Sequence, residues 1–228
     1  MWTANGQQVI YWSAPVNFGS GGVLKRTRAD GSGQPESLLA SGNEMIPTSV
    51  SPDGKTLLLA NRTGVGTGEL TDIFALSLEG PSADAKARVL IASPFGKRDA
   101  MFSPDGRWIA YTSNQSGRDE VYVTPYSGSE RTTQISTAGG ETPRWNPNGR
   151  ELFYRNGGKL MVVRTEPGAS FHGSAPTTLF DKPYLSGFDI APDGKHFLML
   201  RIAAQEAPAE LRVVVNWLEE LRQRAPAK

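Results

Sequence analysis

The sequence predicts an all-β fold, a β-propeller of about five four-stranded blades that forms an open or incomplete ring and ends in a short helix. Three observations predict it. Turn motifs recur at Ala4-Asn5-Gly6, Pro52-Asp53-Gly54, Pro104-Asp105-Gly106, Pro147-Asn148-Gly149 and Pro192-Asp193-Gly194. Their glycines lie 48, 52, 43 and 45 residues apart, close to the period of roughly 40 to 50 residues that propeller blades show. Each turn is followed by one apolar run and, after a loop, by a second.

The stretch Phe102 to Gly128 holds a whole unit. Pro104 fixes φ near −65°, the Asp105 carboxylate can accept neighbouring backbone N–H groups, and Gly106 takes the positive φ that a side chain resists. Trp108 to Thr112 reads as a strand, Asn114 to Arg118 as a polar loop, Val121 to Thr124 as a second strand, and Ser127-Gly128 as a closing turn. On this template the units span about residues 1–40, 41–92, 93–137, 138–181 and 182–215, with a helix at about 216–224.

In the first unit, Val9 to Trp12 and Val23-Leu24 are strands joined by the Gly/Ser-rich stretch Ser13 to Gly22, and Glu36 to Leu39 is a short outer strand. Asp30-Gly31-Ser32-Gly33 begins like a calcium loop, but Pro35 and the missing terminal Glu break the ligand pattern, leaving a turn. The second unit begins at Thr48 to Val50 and continues through Leu57 to Ala60 and Ile73 to Leu76. Gly64, Gly66 and Gly68 between its strands open no helix and precede no Lys-Ser/Thr pair, so they read as a surface loop and not a phosphate cradle. Asn61-Arg62-Thr63 and Asn114-Gln115-Ser116 fit the glycosylation pattern and read as ordinary loop residues.

The fourth unit tightens its middle loop to Asn156-Gly157-Gly158, between Leu152 to Tyr154 and Leu160 to Val163, and adds Thr177 to Phe180 as its outer strand. Near-continuous apolar runs here imply sheets buried on both faces. The fifth unit supplies Phe197 to Leu200 and Leu211 to Val215. A helix follows, with Asn216 as N-cap, Glu219 completing a capping box, Trp217, Leu218 and Leu221 covering the base of the last blade, and Arg222 and Arg224 in the last turn. The fifth unit lacks an outer strand, which predicts an open arc with edges prone to association.

The pattern Phe102-Ser-Pro-Asp-Gly-Arg-Trp-Ile-Ala-Tyr, followed by Glu120-Val-Tyr-Val and Gly128, resembles the TolB-type, WD-like propeller repeat of bacteria, and the likeness extends over nearly the whole chain. The last strand and helix, Val213 to Leu221, are similar to the C-terminal tail of large bacterial proteins in which such repeats follow a serine/threonine kinase domain and a membrane segment. No kinase motif is present. The resemblance implies the C-terminal, periplasmic or otherwise extracytoplasmic part of a longer protein, with a possible kinase and membrane segment upstream. Trp2 agrees with this, because it falls in phase with Phe102 and Trp145 inside a unit.

Composition removes several classes of function. With 24 basic and 23 acidic residues among 228, the chain carries no field suited to nucleic acid or an anionic membrane surface. The absence of cysteine removes disulfides and thiolate chemistry. No apolar run reaches the length of a membrane helix, and residues 1–6 lack the pattern of a signal peptide. His172 and His196 have no partner at metal-ligand spacing, and no G-x-S-x-G elbow is present. Catalytic residues, metal ligands and cofactors are therefore not expected.

Asp53, Asp105 and Asp193 are explained by their turns. Acids that do not repeat carry more information: Glu44, Asp99, Glu141 and Asp189 fall where the chain runs into the innermost strands, around the mouth of the central channel. Arg98, Arg118 and Arg144 bring basic partners to similar positions. The expected site is a mixed-charge funnel, and the expected function is a non-catalytic binding or sensing module for a protein, peptide or small polar ligand. The alternatives are an accessory propeller that gates or regulates a separate kinase or prolyl-oligopeptidase-like domain, and an enzyme with carboxylates in the channel.

Overall fold

The computed structural model describes residues 1–14, 21–62, 70–80, 86–128, 131–166, 168 and 170–201. Among them every regular element is a strand. The expected strand at Leu211 to Val215 and the helix at 216–224 lie outside the described residues.

The first sheet runs β1 (Gln8–Ser13), β2 (Gly22–Arg28), β3 (Glu36–Ser41). On its inner side Trp2 bridges Val9, and Ile10 exchanges hydrogen bonds with Met1, whose ammonium donates to the Ile10 carbonyl at 2.6 Å. The second sheet is β4 (Glu44–Val50), β5 (Thr56–Arg62), β6 (Leu70–Ser77), β7 (Ala87–Ile91). The third is β8 (Lys97–Phe102), β9 (Trp108–Ser113), β10 (Glu120–Pro125), β11 (Thr133–Gln134). In the fourth, β12 (Glu141–Trp145), β13 (Glu151–Asn156) and β14 (Lys159–Glu166) are followed by an outer position shared between β15 (His172–Gly173) and β16 (Thr177–Asp181). The fifth holds β17 (Tyr184–Ile190) and β18 (Phe197–Arg201). All pairings are antiparallel.

All five turns close with the glycine N–H donating to the carbonyl three residues before it, and the first three add a hydroxyl. In the third blade the Ser103 hydroxyl donates to Asp105 Oδ1 at 2.5 Å and accepts from Trp108 N–H, while Arg107 N–H donates to the same carboxylate at 3.1 Å. Ser51 and Asp53 repeat this in the second blade, and Thr3 with Asn5 in the first. Gly6, Gly54, Gly106, Gly149 and Gly194 all have φ between 67° and 74°, the left-handed conformation the motif requires.

The core is divided among the seams between blades. Leu57, Leu59 and Leu76 join Ile10, Leu24 and Leu38 between blades one and two. From the same strand β5, Leu58 and Ala60 turn the other way and meet Phe102, Ile109 and Tyr111 between blades two and three. Trp108, Ala110 and Val123 then face Trp145, Leu152 and Tyr154, and Phe153 and Leu160 face Phe188. Alternation in a strand buried on both faces thus links each blade to both neighbours.

One loop expectation is corrected: Asn61 lies in β5 and is buried. The second blade's inner strand also starts earlier than Thr48, at Glu44.

Candidate functional site

The innermost strands of blades two to five each break register. The shifts fall at Pro47/Ser49 in β4, Arg98/Met101 in β8, Glu141/Arg144 in β12 and Tyr184/Phe188 in β17. Within two of them a residue other than glycine adopts the left-handed conformation, Asp99 at φ 57° and Thr142 at φ 55°. A bulge of this kind turns the strand and re-aims its side chains. Strained residues of this sort are often found at functional sites.

At the seam between blades three and four, the two bulges build a charged cluster. The Arg98 guanidinium donates from both ends to the Asp119 carboxylate, at 2.9 and 2.7 Å. It also donates to Glu141 at 3.3 Å across the seam and lies 3.6 Å from Asp99. The Thr112 hydroxyl ties the same place together, donating to Asp99 at 3.4 Å and accepting the Thr142 N–H at 3.1 Å. The hydrogen bond from Arg98 holds the Asp119 carboxyl below its ordinary range, and the same bond raises the guanidinium. Arg98 and Glu141 remain about a third exposed, so the cluster faces solvent with one cation against three carboxylates.

The structure brings Arg98, Asp99 and Glu141 together and leaves the other candidates apart. Glu44 pairs with Arg62 at 3.3 Å in the second blade. Arg118 donates to Glu120 at 2.8 Å and to the Thr137 carbonyl at 2.5 Å, which attaches it to the linker before β12. Arg144 and Asp189 stand one residue before the ends of β12 and β17, toward the turns, where Arg144 donates to the Pro143 carbonyl and Asp189 accepts the Ile190 N–H. Asp119 is the member that the repeat pattern does not single out, because Glu120 fills the repeat's acidic position. An extra acid directly before that position, absent from the second unit, is the signal that marks it.

Two buried polar groups support this end of the molecule. Glu120, wholly enclosed, accepts the Gly139 N–H at 2.9 Å and a short hydrogen bond from the Ser136 hydroxyl, fixing the linker into blade four. Lys97 donates to the carbonyls of Ser93 and Phe95 at 3.1 and 2.8 Å and lies 3.5 Å from Asp72 of the preceding blade. Burial pushes its ammonium below the usual lysine range. At the next seam the enclosed Arg155 donates to the carbonyls of Gly157 and Tyr184. Among the described residues no group of histidine and carboxylate side chains is arranged to hold a metal ion, and no helix is long and apolar enough to cross a membrane.

Comparison with solved structures settles the fold. TolB from Acinetobacter baumannii superposes with a TM-score of 0.62 at 18% identity, over 86% of this chain and 46% of that one. A TolB-designated protein from Agrobacterium tumefaciens gives 0.59 at 18% identity, over 88% of this chain and 73% of that one. The chain has a TolB-like propeller fold. The Pseudomonas aeruginosa periplasmic gluconolactonase PpgL shares the propeller, with a TM-score of 0.58 at 19% identity over 87% of this chain and 61% of that one. The propeller described here therefore spans less than two thirds of two of these three chains. No protein-family model and no curated protein matches the sequence.

Proposed function

We propose that this propeller is a non-catalytic binding or sensing module whose channel mouth at the seam of blades three and four receives a peptide or small polar ligand with a cationic group. The observation that carries the reading is the Arg98 cluster: one guanidinium shared among Asp99, Asp119 and Glu141 leaves the acids in excess at a solvent-facing position. A ligand cation completes that arrangement, and carboxylates bound by charge-assisted hydrogen bonds are held ready for it. Asp99 and Glu141 already engage Arg98, which favours an electrostatic role for them over proton transfer. An extracytoplasmic location and an upstream signalling domain belong to the same proposal; the propeller shared with a periplasmic protein and the C-terminal resemblance support it.

Selection of random displayed peptides on the full chain tests the proposal. Lys- or Arg-containing peptides are expected to be enriched on the wild type and lost on Glu141→Arg and Asp119→Arg. Enrichment that is indifferent to both charge reversals refutes the site. Lactone or peptide hydrolysis that disappears in Asp99→Ala or Glu141→Ala refutes the non-catalytic reading.

A further inference from the structure

The same seam opens again at the opposite end, on the face that carries the turns. A cleft of about 380 Å³ lies there between the turn of blade three and the turn of blade four, a size within the roughly 300 to 1,000 Å³ of small-molecule sites. Its floor is aromatic. Phe171 stands edge-on to Trp108, with centroids 5.6 Å apart at 71°, and to Trp145, 6.1 Å apart at 79°. The Trp145 indole N–H donates to the Met101 carbonyl at 3.3 Å, which fixes that ring. On one lip the Arg107 guanidinium lies 5.6 Å over the Trp108 ring and donates to the Gly168 carbonyl at 2.7 Å. Arg150 and Glu166 also line the cleft.

We propose that this cleft is a binding site for a flat aromatic ring. Three rings meeting at steep angles form an edge-to-face cluster, and a fourth ring extends it with the same quadrupole complementarity, worth more than the equivalent aliphatic area. Arg107, already placed over one ring, and Arg150 in the same lining supply cations to the face of an incoming ring. Arg107 and Arg150 are balanced by Asp105 and Glu166, so the lining selects ring shape and not net charge. The site is separate from the channel mouth, and its fate is independent of the function proposed there. The ring belongs either to a side chain of a bound peptide or to a free small molecule.

The full chain is titrated with indole and, separately, with cyclohexanol, while the indole N–H resonances of Trp108 and Trp145 are followed by NMR. Indole is expected to shift both resonances saturably and cyclohexanol to shift neither. Phe171→Leu, which keeps apolar volume but removes a ring, and the exposed Arg107→Gln are each expected to weaken indole several-fold. A tryptophan within a short blocked peptide that binds at least tenfold tighter than indole identifies a peptide side chain as the source; equal or weaker binding identifies a free small aromatic. Shifts that do not saturate, an equal response to cyclohexanol, or indole affinity unchanged in both variants overturns the proposal.

Discussion

Gly194 shows how much of this fold is decided by single residues. It has φ 68°, and a Cβ added there meets Asn146 Oδ1 at 2.3 Å, while Asn146 donates to the Gly194 carbonyl at 3.1 Å. Gly31, at φ 76°, has nothing within 4 Å of the same point. Both Gly→Ala changes incur the left-handed penalty of about 1 kcal/mol. Gly194→Ala must also displace the side chain that joins turn four to turn five, so its total cost is expected to reach about 2–3 kcal/mol. Urea unfolding of the two variants checks this, and equal midpoints would show that the turn-to-turn contact carries no stability. The turn glycines, prolines and acids were legible in the sequence because their effects are local. Asn146, which serves its own turn by accepting Asn148 N–H and the next turn by its amide, was not.

At the scale of elements, the seam between blades three and four is held by charge where the inner strands begin and by rings at the turn face. The Asp119 carboxyl has a folded pKa below its ordinary value because Arg98 donates to it. The folded state therefore binds fewer protons than the unfolded chain as pH falls. The stabilisation is complete above the ordinary carboxylate pKa of about 3.9 and is lost as pH drops through the lower folded value. The side chain is 43% exposed, so the pair is worth about 0.2–1 kcal/mol. Asp119→Asn is expected to lose that much at neutral pH and to converge with the wild type as pH falls through the lowered folded pKa of Asp119, as thermal unfolding across pH will show; a gap that persists once the carboxyl is protonated in both states assigns the loss to packing. Residue patterns put Arg98, Asp99 and Glu141 near the starts of innermost strands, and the structure brings them together there. Arg144 and Asp189 were misplaced by the same logic: a few residues of strand separate the start of β12 or β17 from its end, and sequence distance does not report that the two ends lie on opposite faces.

For the whole molecule, the blades follow one another in an arc, β1 against β4, β4 against β8, β8 against β12 and β12 against β17. Each internal blade buries both faces. On the fifth, Leu198 is 70% exposed and Leu200 56% exposed on a two-stranded sheet among the described residues. Exposed apolar side chains grouped on one strand favour association. The pair Leu198→Lys and Leu200→Lys is expected to lower the concentration-dependent mass seen by light scattering without changing the circular dichroism of the sheets, and an unchanged mass would locate self-association elsewhere.

The sequence by itself determined the repeat, the turn chemistry, the two-sided burial of the strands and so the propeller. All of these follow from interactions a few residues long, repeated in phase. Only the tertiary structure decided which charges meet. Arg98 reaches Asp119 and Glu141, 21 and 43 residues away, and Trp108 and Trp145 share Phe171 across a seam. Those distances depend on the twist of each sheet, the bulge that re-aims each inner strand and the angle between blades, which no single segment of the chain specifies.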